Sequence, residues 1–121
     1  MPKILIVDDD QGTLNLIESC VIRITPRVYK ARDGEEGWDT YKEVTPDLVI
    51  TDYKMPRLDG YQLAKLIEKQ NPSCPMILVS GYDDIDEIVK SHFENIYAKP
   101  FSIPSFLKTV RFLTKDRQKK L

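Results

Sequence analysis

The sequence predicts an α/β domain built on a doubly wound, five-stranded parallel sheet. Two observations carry that prediction: short apolar runs rich in β-branched residues recur along the chain, and segments of helical apolar spacing separate them. Such an alternation of strand and helix implies a parallel sheet covered on both faces, because each parallel pair needs a crossover.

The first run, Ile4-Leu5-Ile6-Val7, is continuous and apolar, as befits a strand buried on both sides. Leu48-Val49-Ile50 and Met76-Ile77-Leu78-Val79 repeat the pattern. Arg27-Val28-Tyr29-Lys30-Ala31 and Asn95-Ile96-Tyr97-Ala98 are more polar and are expected toward the sheet edges. Between the runs, apolar residues fall at helical intervals. They are Leu14, Ile17, Val21 and Ile24, then Trp38 and Tyr41, then Leu63, Ala64 and Ile67. Ile85, Ile88 and Val89 predict a fourth helix, and Ile103, Phe106, Leu107 and Val110 a fifth.

The length of 121 residues suits one domain, spanning 1–121, with a basic end from Lys115 to Leu121 that reads as a fraying helix terminus or the stub of a connection. A net charge of -1 argues against a chain built to coat nucleic acid or an anionic membrane. Cys20 and Cys74 have neither metal-type nor redox-type spacing and read as free thiols of a reducing compartment. The start, Met1-Pro2-Lys3 and four apolar residues, is too short for a signal peptide or a membrane span, so a cytoplasmic location is expected.

In an open parallel sheet the carboxyl ends of the strands share one rim, where ligands bind. That rim gathers Asp8, Asp9 and Asp10 after the first strand, Asp52 after the third, Ser80 after the fourth and Lys99 after the fifth. Two like charges about 4 Å apart repel by about 4 kcal/mol at an effective dielectric of 20, so the cluster calls for a cation. Lys99 supplies one positive charge, and hard oxygen ligands suit Mg²⁺. A carboxylate can also act as the nucleophile in phosphoryl transfer, with its neighbours positioning and neutralising the transferred group. The Lys99 ammonium and the Ser80 hydroxyl suit that work. Asp10 fits helix capping as well as metal binding and is left out of the metal set; Asp59-Gly60 reads as the start of the third helix.

Several ordered motifs resemble those of response-regulator receiver domains from end to end. They are Ile4-Leu5-Ile6-Val7-Asp8-Asp9-Asp10, the turn Ala31-Arg32-Asp33-Gly34-Glu35-Glu36-Gly37, the loop from Asp52 to Gly60, Val79-Ser80-Gly81 and Lys99-Pro100-Phe101. The resemblance implies the flavodoxin-like sheet order 2-1-3-4-5 and a cis bond between Lys99 and Pro100. It implies that Asp52 accepts a phosphoryl group from a phosphohistidine on a sensor histidine kinase or histidine phosphotransfer protein. Asp9, Asp52 and the Lys54 backbone carbonyl would bind Mg²⁺, with Asp8 helping through water. The modified domain would then signal to a downstream output protein or domain, with no direct binding to nucleic acid.

Two features depart from the family pattern. The position three residues before Lys99, where the family carries a switching aromatic, is Ile96; Tyr97 is one residue off and belongs to the opposite face of its strand. The stretch from Ser80 to Lys99 is short, which points to a trimmed fourth helix. Lys54 and Tyr82 occupy positions that overhang the acceptor and are expected to slow hydrolysis of an aspartyl phosphate. Two competing functions are a phosphorylation-independent interaction module and a haloacid-dehalogenase-like phosphohydrolase, with Asp8 as nucleophile and Asp10 as general acid.

Overall fold

A computed structural model describes residues 1–81 and 84–118, with side chains described through Lys115. Strands β1 (Ile4–Val7), β2 (Val28–Ala31), β3 (Leu48–Thr51), β4 (Met76–Ser80) and β5 (Asn95–Ala98) alternate with helices α1 (Gln11–Val21), α2 (Gly34–Val44), α3 (Gly60–Gln70), α4 (Glu87–Lys90) and α5 (Ile103–Gln118). All strand pairs are parallel, in the order β2-β1-β3-β4-β5. The sequence-predicted architecture and sheet order are those observed.

The two-residue period of the strands divides the core into two layers. Leu5, Val7, Val49 and Leu78 face one side, with Tyr41, Leu63, Ala64 and Ile67 of α2 and α3. Ile4, Ile6, Leu48, Ile50, Ile77 and Val79 face the other, against Leu14, Ile17 and Val21 of α1 and Phe106, Leu107 and Val110 of α5. The three central strands are buried on both faces, which explains their unbroken apolar sequence. β2 and β5 lie at the edges and carry half-exposed residues, as their polar composition predicts.

Four helices begin on an aspartate. Asp10, Asp33, Asp59 and Asp86 accept hydrogen bonds from the amides of Thr13, Glu36, Gln62 and Ile88 in turn, satisfying amides that the first helical turn leaves open. Gln62 returns a bond to the Asp59 amide and completes a capping box.

The structure refines three sequence expectations at element boundaries. β2 starts at Val28 rather than Arg27, and α1 ends at Val21, leaving Ile24 in the turn beyond. The fourth helix is a single turn: Ile85 is buried but precedes it, Val89 packs inward, and Ile88 is 64% exposed. A single turn cannot sustain a helical stripe, so the predicted spacing of Ile85, Ile88 and Val89 does not form one face. The Lys115–Leu121 segment is helical through Gln118, and the rest of it lies outside the described residues.

Gly60 abuts the backbone of the β3–α3 loop: a Cβ there would lie 2.1 Å from the Asp52 carbonyl oxygen, whereas one on Gly81 would meet nothing within 4 Å. Gly60→Ala should therefore lower unfolding free energy by at least about 2 kcal/mol, and Gly81→Ala should change it by less than about 0.5 kcal/mol, as read from urea midpoints.

Candidate phosphoryl-acceptor site

The sheet ladder continues one residue past the strands and thereby fixes the site. The Asp8 amide donates to the Ala31 carbonyl at 3.1 Å, the Asp52 amide to the Val7 carbonyl at 2.9 Å and the Lys99 amide to the Ser80 carbonyl at 2.9 Å. Each of these backbones is held by its neighbouring strand. Side chains 91 positions apart in sequence then meet: the Lys99 Nζ donates to Asp8 Oδ2 at 3.0 Å and lies 3.5 Å from Asp52 Oδ2.

Asp8, Asp9 and Asp52 each place a carboxylate oxygen within 4.8 Å of the others. Asp8 and Asp52 are buried, whereas Asp9 is exposed and forms the open lip of the cluster. Asp8 Oδ1 accepts from the Asp10 amide and Asp52 Oδ1 from the Tyr53 amide, which orients both carboxylates. Ser80 is buried at the end of β4, in register with Ala98, the residue before Lys99. The peptide bond between Lys99 and Pro100 is cis.

The charge balance is unfavourable without a further cation. Burial, and then the negative charge of Asp8, push the Asp52 carboxyl up to about 6, against the opposing pull of Lys99. Burial also raises Asp8, partly offset by the Asp10 amide and Lys99. Burial disfavours the Lys99 ammonium, but Asp8 and Asp52 outweigh it and hold that group above its ordinary value. Among the described residues, one ammonium thus stands against three carboxylates whose donors are all hard oxygens, a set that fits a divalent ion such as Mg²⁺.

The other sequence candidates have surroundings of their own. The Asp10 carboxylate accepts from the amide and hydroxyl of Thr13, and both bonds hold its carboxyl below the usual range. That shift runs opposite to what a general acid needs, so the phosphohydrolase assignment finds no support at Asp10. The Lys54 side chain is exposed, with its Nζ 4.8 Å from the centre of the Tyr53 ring. Tyr82 lies outside the described residues. His92 pairs with Glu68 at 2.8 Å and meets the edge of Tyr61, away from the rim. Ile96 packs with the α2–α3 layer, while Tyr97 packs with the α1–α5 layer beside Phe101 and Phe106 and hydrogen-bonds Thr109. The expected opposite facing of these two residues is observed.

Sequence reasoning missed the ion pair between Arg57 and Asp33, 2.7 Å long. The two residues are 24 positions apart on different loops, and only their common place at the strand ends hints at a contact.

The raised Asp52 value makes a signed prediction. Its folded carboxyl binds protons more tightly than the unfolded one, so ionisation costs stability, a cost absent below the ordinary value of 3.8 and complete above about 6. In metal-free buffer, Asp52→Asn should stabilise the protein at neutral pH by on the order of 1–3 kcal/mol, with the gain fading toward about pH 4. Urea unfolding across that range checks it, and a gain independent of pH would contradict it.

Comparison with known proteins gives a consistent picture. The response regulator receiver domain family matches residues 4–111. The transcriptional regulatory protein AfsQ1 of Streptomyces coelicolor is 30% identical over 83% of this chain and 45% of its own length. The alkaline phosphatase synthesis transcriptional regulatory protein PhoP of Bacillus subtilis is 30% identical over 83% of this chain and 43% of its own. The chain therefore spans less than half the length of these curated relatives. Among solved structures, a Francisella response regulator receiver domain superposes with a TM-score of 0.86 at 32% identity, covering 97% of this chain and 99% of that one. The protein TrrA of Thermotoga maritima, solved in complex with Mg(2+)-BeF, gives 0.86 at 25% identity over 93% and 99%. With the parallel sheet and the acidic rim already in place, these matches show that the chain belongs to the response regulator receiver domain family of two-component signalling.

Proposed function

We propose that this chain is a phospho-acceptor switch in which Asp52 takes a phosphoryl group from the phosphohistidine of a sensor histidine kinase or histidine phosphotransfer protein. The observation that carries the reading is the pairing of Lys99 with Asp8 and Asp52 at 3.0 and 3.5 Å, which sets a cation beside a sheltered carboxylate nucleophile.

An Asp52 carboxylate oxygen attacks phosphorus while the bond from phosphorus to the donor imidazole nitrogen breaks, and the bonding pair leaves with the imidazole. The product is an aspartyl phosphate. Lys99 and the Tyr53 amide hold the Asp52 carboxylate in place for that attack. The Lys99 ammonium neutralises one phosphoryl oxygen, and the Ser80 hydroxyl donates to another. Asp9, Asp52 and the Lys54 carbonyl would hold Mg²⁺, with Asp8 assisting through water. When bound, the ion offsets the negative charge of the carboxylates and of the transferred group. The Mg²⁺ in the Thermotoga relative's structure supports this assignment.

A groove of about 350 Å³, lined by Thr13, Leu16, Pro100, Phe101 and Ile103, opens beside Lys99. Its apolar walls, with Leu16 44% exposed, suit a partner that delivers a phosphohistidine to the rim. Since the curated relatives are transcriptional regulators of which this chain covers only 45% and 43%, the downstream target is an output domain or a separate protein. Among the described residues no helix is long and apolar enough to cross a membrane. We read the whole of 1–121 as this receiver unit, acting in the cytoplasm.

The acceptor chemistry is tested by incubating the protein with phosphoramidate or acetyl phosphate and following intact mass. One phosphoryl increment should appear with Mg²⁺ and vanish with Asp52→Asn or with chelator. Failure across a panel of phosphorylated histidine kinases as well would favour a phosphorylation-independent module. Lys54→Ala should shorten the life of the adduct, since it opens a path for water to the acyl phosphate; an unchanged decay rate would remove Lys54 from that role.

A further inference from the structure

The loop from Tyr53 to Asp59 is closed at its neck and suspended at its tip. At the neck the Gly60 amide donates to the Tyr53 carbonyl at 2.7 Å. At the tip the Leu58 amide donates to the Pro56 carbonyl at 2.9 Å, a three-residue turn centred on Arg57, whose φ is 72°. This left-handed conformation is unfavourable for a side chain larger than glycine, so an external contact has to hold it.

The contact present is the bond from the Arg57 guanidinium to Asp33 Oδ2 at 2.7 Å. Asp33 makes a firm anchor. Its other carboxylate oxygen accepts the Glu36 amide at the start of α2, and its side chain is only 12% exposed against 62% for Arg57. A charge-assisted bond to a sheltered carboxylate is screened less than a pair exposed at both ends. The next residue, Gly34, lets the loop lie directly on α2, since a Cβ there would sit 2.1 Å from the Leu58 carbonyl oxygen.

We propose that the Asp33–Arg57 pair is a positioning device for the acceptor loop, fixing the turn that sets the Lys54 carbonyl relative to Asp52 for cation binding. The proposal rests on the acceptor reading given above for its effect on phosphoryl uptake, and on the cation site alone for its effect on Mg²⁺. Arg57 is mostly exposed and fills no part of the core, so its loss acts on loop geometry rather than on global stability.

Two variants separate the pair from its by-roles. Asp33→Asn keeps an oxygen for capping Glu36 but removes the ionic partner. Arg57→Ala removes the guanidinium while leaving a Cβ at the positive φ, so the turn still needs a contact to hold it. Mg²⁺ affinity is measured by calorimetry, loop opening by amide exchange over 54–58, global stability by melting, and phosphoramidate uptake at low and saturating Mg²⁺. Each variant should bind Mg²⁺ about three- to tenfold more weakly, less than the roughly 10–100-fold loss seen when a group bonded directly to a metal ligand is removed. Exchange over 54–58 should quicken at nearly unchanged melting temperature, the double variant should be no worse than either single one, and saturating Mg²⁺ should restore uptake.

Wild-type Mg²⁺ affinity and loop exchange in both variants would overturn the proposal, as would a loss of affinity that merely tracks a lowered melting temperature. A wild-type protein that binds Mg²⁺ but takes up no phosphoryl group would overturn the acceptor reading and the uptake claim. The effects on Mg²⁺ and exchange would then still decide the positioning role.

Discussion

Lys99 crosses the rim of the sheet to put a single ammonium between two buried carboxylates, with a third at the lip of the cluster. Isolated, those carboxylates would repel one another in a partly desolvated setting where like charges are costly. The cation relieves part of that cost and leaves a deficit, expressed in the elevated proton affinity of Asp8 and Asp52. The rest of the architecture serves this imbalance. The parallel ladder fixes the backbones that carry the charges, and two apolar layers hold the ladder rigid from both sides. The rim tolerates unfavourable electrostatics because the strands beneath it have no polar work to do.

The chain uses one residue type for two opposed purposes. Asp10, Asp33, Asp59 and Asp86 lie at helix starts, where unpaired amides favour negative charge. Asp8 and Asp52 sit one residue beyond strand ends, where burial disfavours it. The shifts of Asp10 and Asp33 are downward and those of Asp8 and Asp52 upward, so environment separates neighbours as close as Asp8 and Asp10.

Much of this was legible in the sequence because it depends on period and order. Unbroken runs such as Ile4–Val7 suit strands buried on both faces, and strand-end residues of a parallel sheet share one rim. The opposite facing of Ile96 and Tyr97 followed from the two-residue period alone. What escaped depends on three-dimensional proximity without periodicity. The Asp33–Arg57 contact joins two loops through a backbone angle that no residue type advertises, since Arg is not a residue expected at positive φ. Ile88 misled for a related reason: apolar spacing presupposes a helix long enough to have a face, and α4 has one turn.

The brevity of α4 also shapes how the molecule can yield. A helix of four residues lies far below the length at which propagation offsets nucleation, so the chain from Ile85 to Phe93 keeps its form through tertiary anchors. Ile85, Val89 and Phe93 press into the α2–α3 layer, and His92 reaches Glu68 on α3. Few backbone bonds would have to break for this segment to change course, whereas any comparable change in β1 or β3 would tear a fully buried ladder. The described residues of this flank thus owe their shape more to side-chain packing than to backbone ladders, the reverse of the balance at the centre of the sheet.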